Sequence, residues 1–143
     1  MAFESNPPPL QPHICVKGGL DAIAFYKKAF GAECPFHQLA EDGRRVMHAN
    51  IEMFGSEILL HDEFPEFGDD VLSPLTVGGV SGAININLKT PGDVDAAMER
   101  ARAAGAEVIM PPEDAFWGAR YGRIRDPFGH IWAFNAPLGG AAA

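Results

Sequence analysis

The spacing of apolar residues predicts two successive runs of the same elements. Residues 20–30 have apolar side chains at the three- and four-residue spacing of one helix face, and Gly31 follows as a C-terminal cap. Residues 90–105 have a similar spacing, and Thr90 followed by Pro91 is typical of a helix start. Shorter apolar or alternating stretches indicate strands. The predicted strands are 11–17, 33–39, 46–53, 57–61, 83–88, 107–110, 119–125 and 130–135.

Turn-forming residues separate these predicted elements. Glu41-Asp42-Gly43 is a hairpin signal, and Asp126-Pro127-Phe128-Gly129 predicts a turn before the last strand. We expect Pro111-Pro112 to end the strand at Met110, which makes 111–118 a loop.

Two short sequences recur at a constant distance. Gly31-Ala32-Glu33 recurs as Gly105-Ala106-Glu107, and Phe54-Gly55 recurs as Phe128-Gly129, so the offset is 74 both times (105 − 31 and 128 − 54). The predicted order of elements repeats at the same offset, which indicates an α+β fold of two tandem βαβββ modules. One helix would cover one face of each sheet. We expect the other faces to form a cleft between curved mixed sheets, which is the default place for a ligand.

The repeat also predicts the domain organisation. Residues 1–10 form an N-terminal arm with three successive prolines, and 64–80, rich in proline, glycine and acids, form a linker between modules. The first module is predicted at 11–63, the second at 81–137 and a loose tail at 138–143.

Composition narrows the classes of partner. The net charge of −8 argues against nucleic-acid and acidic-membrane binding, because no basic patch balances it. No apolar run approaches the roughly 20 residues of a membrane span. The start of the chain does not resemble a signal peptide, so cytoplasmic residence is the expectation. Cys15 and Cys34 are consistent with a reducing compartment and are interpreted as ordinary thiols.

Three sequence runs carry a family resemblance. They are Val16 to Glu33, which includes Phe25-Tyr26-Lys27-Lys28-Ala29-Phe30-Gly31-Ala32-Glu33, then Trp117-Gly118-Ala119-Arg120-Tyr121-Gly122, and Asp126-Pro127-Phe128-Gly129-His130-Ile131-Trp132. Over about residues 10 to 137 the chain resembles the vicinal oxygen chelate superfamily of glyoxalase I, extradiol dioxygenases and bleomycin-resistance proteins. It looks most like the PhnB-like, glyoxalase-related branch. The resemblance implies the fold but not the reaction, because this fold hosts many chemistries.

The resemblance also implies a divalent metal, held by one position on the first strand and one on the last strand of each module. Carried onto this sequence, the positions fall on Gln11, on Leu59, near Ala83 or Asn85, and on Ala133. Alanine cannot bind a metal, and a transition metal needs three or four donors in a fixed geometry. No cofactor is therefore predicted.

A displaced metal site is the alternative. His61 lies two residues after Leu59 and shares its face, so His13, His48 and His61 with Glu52 or Glu57 are the donors for a divalent metal such as Zn, Ni, Mn or Fe.

Period-two alternation then predicts which side chains line the cleft. By the offset of 74, His61 corresponds to Asn135 and His13 to Asn87. Imidazoles and amides can hydrogen-bond a polar small molecule, and histidine can move a proton near neutral pH. The candidate ligand-binding residues are Gln11, His13, His48, His61, Asn85, Asn87, Trp117, Arg120, Tyr121 and Asn135. No catalytic residue is assigned.

Structural roles remain open for several of these residues. His13, His48 and His61 could be strand or surface histidines. The segment from Trp117 to Tyr121 either closes the cleft or is a structural loop in which Arg120 pairs with Asp114 or Glu113. His130 is expected to fix its turn and His37 to lie on the surface.

Three functional hypotheses follow. The first is a protein that binds a small molecule between the modules without the family metal, related to resistance proteins that sequester a ligand. The second is a metal-dependent lyase, isomerase or dioxygenase with a displaced metal site. The third, a structural or interaction module, is disfavoured because polar residues gather on one predicted face. The resemblance also implies a homodimer.

Overall fold

The computed structural model describes residues 7–68 and 70–139. The first part of the predicted arm, 1–6, and the end of the predicted tail, 140–143, lie outside the described residues. The elements are β1 (His13–Val16), α1 (Gly19–Phe30), β2 (Glu33–Leu39), β3 (Val46–Met53), β4 (Ser56–Asp62), a 3₁₀ turn (Pro65–Phe67), α2 (Pro74–Val77), β5 (Ile84–Asn87), α3 (Pro91–Ala104), β6 (Glu107–Ala115), β7 (Ala119–Arg125) and β8 (Ile131–Pro137).

The chain divides after Gly79 into two compact units, and each contains one four-stranded mixed sheet. The sheet of the first unit has the order β1-β4-β3-β2, and that of the second unit has the order β5-β8-β7-β6. β1 runs parallel to β4, and β5 runs parallel to β8, while the other neighbouring strands are antiparallel. The predicted α+β fold with two βαβββ modules is confirmed.

In the first unit, α1 packs on β3 and β4. Alternate residues of β4, Ile58 and Leu60, are buried against this helix, as the strand period of two requires. Asp62 continues the same face. Its carboxylate accepts the backbone N–H groups of Gly18, Gly19 and Val46 at 2.7–3.0 Å, which connects the start of α1 to β3. The side chains of Glu57, Leu59 and His61 lie on the opposite face of the sheet.

In the second unit, α3 packs on β6, β7 and β8. The predicted start of α3 is observed as a capping box, in which Thr90 and Asp93 exchange side-chain and backbone hydrogen bonds. Trp132 and Phe134 are fully buried. They alternate with Ala133 and Asn135, which lie on the face opposite α3.

The predicted loop at 111–118 is wrong over 111–115, because β6 continues through Pro111-Pro112 to Ala115, and only 116–118 form a turn. Proline has no backbone N–H to donate to a neighbouring strand, so it occurs in edge strands and at irregularities of the pairing. Both conditions hold here. β6 is the last strand of its sheet, and its pairing with β7 shifts register between Val108 and Met110 and again between Met110 and Glu113.

The segment predicted as a linker contains local structure as well. A 3₁₀ turn forms at Pro65–Phe67, and the short helix α2 begins after Ser73, whose hydroxyl accepts the N–H of Thr76. None of the helices within residues 7–68 and 70–139 combines the length and apolar character needed to cross a membrane.

Candidate functional site

Polar side chains gather on the face of the first sheet opposite α1. We call this set the histidine face, and its members are Gln11, His13, His48, Asn50, Glu57 and His61. They come from β1, β3, β4 and the residues just before β1. Their positions alternate with the buried residues that face α1. These side chains therefore share the sheet face that α1 does not cover.

Strand register brings these residues around Leu59. His13 lies opposite Leu59 on the parallel neighbour β1, and Asn50 lies opposite it on the antiparallel neighbour β3. His61 comes two residues later on the same face. The histidine face therefore has an apolar centre, contributed by Leu59, with polar groups on both sides.

The three imidazoles are close neighbours. The ring centroids of His13 and His61 are 4.9 Å apart with the rings nearly perpendicular, and those of His13 and His48 are 6.5 Å apart. His13 is thus the central ring of the three.

A hydrogen-bonded chain joins the other polar groups. Glu57 Oε1 accepts from Gln11 Nε2 at 2.7 Å and from Asn50 Nδ2 at 3.0 Å. Asn50 Oδ1 lies 2.9 Å from His48 Nε2. Because an amide oxygen can only accept, this contact places the proton of His48 on Nε2 and leaves Nδ1 as an acceptor in the neutral ring. Asn50 and Glu57 are buried, and this network accounts for their burial.

His61 has the opposite tautomer. Its Nδ1 lies 2.7 Å from the carbonyl oxygen of Asp62, which can only accept, so the proton is on Nδ1. The neutral ring then has an acceptor at Nε2. The histidine face can therefore accept hydrogen bonds through different ring nitrogens of His48 and His61.

Electrostatics favour a neutral His13. Desolvation lowers the pKa of His13 below its ordinary value of 6.5, and the nearby His61 and His48 lower it further. His13 is an exposed residue, so the desolvation is only partial. Near neutral pH its ring is uncharged and can both donate and accept a hydrogen bond.

The strand register changes the correspondence between the two halves. His13 lies opposite Leu59, and Asn85 lies opposite Ala133, so His13 corresponds to Asn85. The expected match of His13 with Asn87 is wrong, because the offset is 72 between β1 and β5 but 74 between Leu59 and Ala133. The same register moves the implied first-strand metal position from Gln11, which precedes β1, to His13.

The residues at the implied metal positions do not fit a metal. Leu59 and Ala133 have no atom that can bind a metal. Asn85 offers only an amide oxygen, and its Nδ2 donates a hydrogen bond to Asn87 Oδ1 at 3.0 Å. Only His13 offers an imidazole. In the part of the chain that the structure describes, no group of three or more His, Cys, Asp or Glu side chains is arranged to hold a metal ion.

The second unit places its candidate residues on the face opposite α3. Asn87, Asn135 and Tyr121 lie side by side on three neighbouring strands. The rings of Trp117 and Tyr121 are 5.4 Å apart and nearly perpendicular. Asn85, Asn87, Asn135, Tyr121 and Trp117 therefore belong to one polar and aromatic region of this unit.

Arg120 is directed differently. It follows the alternation of β7 to the face that α3 covers, where it pairs with Asp95 of α3 at 2.8 Å and with Asp114 of β6 at 2.9 Å. The structural alternative for Arg120, an ion pair with Asp114, is what the structure shows. His130 is part of its turn, since its N–H donates to Asp126 Oδ1 and its carbonyl accepts from the Asp126 N–H.

Three polar residues near these sites were not among the predicted binding residues. Asn50 could have been recognised from the sequence, because asparagine is uncommon in strands and Asn50 lies in a predicted one. Glu57 was considered only as an alternative metal ligand. Arg123 lies on the same face of β7 as Tyr121 and donates to its hydroxyl at 2.7 Å.

Comparison with known proteins agrees with this architecture. Residues 11–134 match the family model of the Glyoxalase/Bleomycin resistance protein/Dioxygenase superfamily. The chain belongs to this superfamily. The resemblance to the vicinal oxygen chelate superfamily is thereby confirmed.

Relatives within the superfamily extend over most of the chain. An uncharacterized Mycobacterium bovis protein is 39% identical over 132 residues, which cover 92% of this chain and 84% of the relative. Protein YjdN of Escherichia coli is 26% identical over 148 residues, covering 89% of this chain and 94% of the relative.

Solved structures share the fold at lower identity. TioX from Micromonospora has a TM-score of 0.66 at 24% identity, with 95% of this chain and 98% of TioX covered. A Bacillus cereus PhnB protein, described as a putative 3-demethylubiquinone-9 3-methyltransferase, has a TM-score of 0.66 at 16% identity. The match covers 92% of this chain and 100% of that protein's chain. These likenesses support the fold alone.

Proposed function

We propose that this superfamily member binds a small organic molecule at the histidine face and does so without a divalent metal. The observation that carries the proposal is the set of donors and acceptors on that face. Three imidazoles lie around an apolar centre, while the implied metal positions are occupied by one imidazole, one amide and two hydrocarbon side chains.

The chemistry of the face suits a ligand with an aromatic or apolar body and a polar group. Leu59 offers apolar contact at the centre, and imidazole rings can stack on a flat ring or form a hydrogen bond. The Gln11–Glu57–Asn50–His48 chain fixes the His48 ring, so its free nitrogen is held in position before the ligand arrives. Such preorganisation reduces the entropy lost on binding.

Binding without turnover is the form of this proposal that we favour. A metal-independent histidine face can sequester a ligand, and it resembles in this respect the resistance proteins to which the family model refers. Within the second unit, the amides Asn85, Asn87 and Asn135 are proposed as ligand contacts of that unit, together with Trp117 and Tyr121.

Metal analysis tests the first part of the proposal. Protein purified without a histidine tag is analysed for bound metal and then titrated with Ni²⁺, Zn²⁺, Mn²⁺ and Fe²⁺. We expect substoichiometric metal and no saturable binding. One tightly bound metal ion per chain would contradict the proposal and support a displaced site at His13, His48 and His61.

Ligand screening tests the second part. A library of aromatic acids, phenols and heteroaromatic compounds is screened for a rise in melting temperature, since a ligand that binds only the folded state stabilises it. For a hit, we expect His61→Gln to weaken binding by roughly tenfold or more, because the ligand would lose the hydrogen bond that His61 Nε2 accepts. His37→Gln, at an exposed position on β2, is the matched control and should leave binding unchanged.

A further inference from the structure

A separate hollow lies within the second unit. It has a volume of about 260 Å³ and is lined by Val80, Ser81, Gly82, Ala83, Arg123 and Ile131. Ligand sites for drug-sized molecules measure roughly 300–1,000 Å³, so this hollow suits a smaller molecule or one group of a larger one. None of the candidate ligand-binding residues predicted from the sequence lines it, although Ala83 was one of the implied metal positions.

Arg123 is the charged group of this hollow. The side chain is half-buried on the face of β7 opposite α3. Its Nε donates to the Tyr121 hydroxyl at 2.7 Å, and its guanidinium carbon is 5.5 Å from the centre of the Tyr121 ring. These contacts hold the guanidinium in one orientation and involve neither of its two terminal nitrogens.

Arg123 differs from its neighbours on β7 in having no acidic partner among residues 7–68 and 70–139. Arg120 pairs with Asp95 and Asp114, and Arg125 pairs with Glu107. In a chain with a net charge of −8, a half-buried arginine that no described acid neutralises leaves a local positive charge.

The backbone beside Arg123 has unused hydrogen-bond donors. Within the described ranges, no hydrogen bond involves the N–H groups of Ser81, Gly82 or Ala83, or the Ser81 hydroxyl. Backbone N–H groups beside a guanidinium are a common way for proteins to bind oxyanions.

We propose that Arg123 and residues 80–83 form a binding site for a compact oxyanion, such as the carboxylate of a small organic acid. The two terminal nitrogens of Arg123 would donate to the two oxygens of the carboxylate, a geometry that the planar guanidinium favours and lysine does not reproduce. Ser81 and the backbone N–H groups would complete the contacts. This site lies in the second unit and does not depend on the histidine face.

Nuclear magnetic resonance on the unmodified chain tests the site directly. The ¹⁵N-labelled protein is titrated with sodium malonate, sodium benzoate and inorganic phosphate, with sodium chloride at matched ionic strength. We expect saturable shifts of the Ser81–Ala83 amides and of the Arg123 Nε–H signal. Saturation by a carboxylate identifies an organic acid as the ligand class, and saturation by phosphate alone identifies a phosphate group. No saturable shift with any of the three would overturn the proposal.

Three variants separate a specific site from general charge effects. Arg123→Gln should weaken binding by roughly tenfold or more, and Arg123→Lys should recover only part of the loss. Arg44→Gln removes the same charge from an exposed position and should bind as the parent does. Equal weakening in Arg123→Gln and Arg44→Gln would overturn the proposal. His61→Gln should not change oxyanion binding, so failure of this site and failure of the histidine face are distinguishable.

Discussion

Asp62 is the residue on which the local structure of the first unit most depends. It is only 4% exposed, and its two carboxylate oxygens accept three backbone N–H groups from the start of α1 and from β3. The positive end of the helix dipole faces this negative charge. One side chain therefore fixes the helix, the central strand β3 and the strand β4 that carries His61.

We expect Asp62→Asn to destabilise the protein by about 2–3 kcal/mol, because an amide nitrogen cannot accept and leaves a buried N–H group without its partner. Urea unfolding measures this change. Asp21→Asn, an exposed change in the first turn of the same helix, should cost about 0.5 kcal/mol or less. Equal losses in the two variants would show that the helix dipole, and not the three hydrogen bonds, is what matters.

His13 predicts a dependence of stability on pH. Its pKa is lower in the folded protein than its ordinary value of 6.5, so the unfolded chain binds the proton more readily. The contribution of His13 to stability is therefore fully present above pH 6.5 and is lost as the pH falls through the folded-state pKa.

Denaturant unfolding between pH 7.5 and about pH 5.5, where most carboxylates stay ionised, measures this slope. We expect the free energy of unfolding to fall as the pH is lowered and His13→Gln to reduce the slope. His37→Gln serves as the control, and a slope unchanged by His13→Gln would refute the assignment.

Among the elements, those with a clear local signal were predicted well. The strands at 33–39, 46–53 and 119–125 have the predicted bounds, and α3 begins at the predicted Thr90–Pro91 cap. β6 was predicted too short, because the tolerance of Pro111-Pro112 depends on β6 being an edge strand. Edge position is a property of the sheet order, which the local sequence does not contain.

The sheet face of each candidate side chain could be predicted from strand alternation. The partners of these side chains could not be predicted in this way. Alternation was enough to place His13, His48 and His61 on one face. The same rule shows that Arg120 and Tyr121, being adjacent on one strand, point to opposite faces, so both could not belong to one site on that sheet. That Arg123 and residues 80–83 line one hollow required the structure, since these residues lie in separate parts of the chain.

The start of α1 predicts a steric requirement for glycine. A Cβ at Gly19 would lie 2.5 Å from Asp62 Oδ2 and 2.7 Å from Val46 Cγ2. We expect Gly19→Ala to destabilise the protein by about 1–3 kcal/mol, as overpacking does. Gly92→Ala in the first turn of α3 is the control, because there the nearest atom, Thr90 Oγ1, is 3.9 Å away. Thermal unfolding of both variants measures the difference, and a neutral Gly19→Ala would contradict the packing described.

For the whole molecule, two units of the same topology carry different chemistry on corresponding strands. His13 and His61 of the first unit correspond by register to Asn85 and Asn135 of the second. His13 can take up a proton and Asn85 cannot, so we expect the pH dependence of ligand binding to arise from the first unit. The homodimer implied by the resemblance stays a prediction, which sedimentation equilibrium can test.

Both tryptophans of the chain, Trp117 and Trp132, lie in the second unit. Trp132 is fully buried, with its indole N–H bonded to Asp126 at 2.8 Å, whereas Trp117 is 54% exposed. Intrinsic fluorescence excited at the indole band therefore reports on the second unit alone, and far-ultraviolet circular dichroism reports on both. If the two signals melt at different temperatures, the halves of this tandem protein lose their structure independently, and no dye or label is needed to observe it.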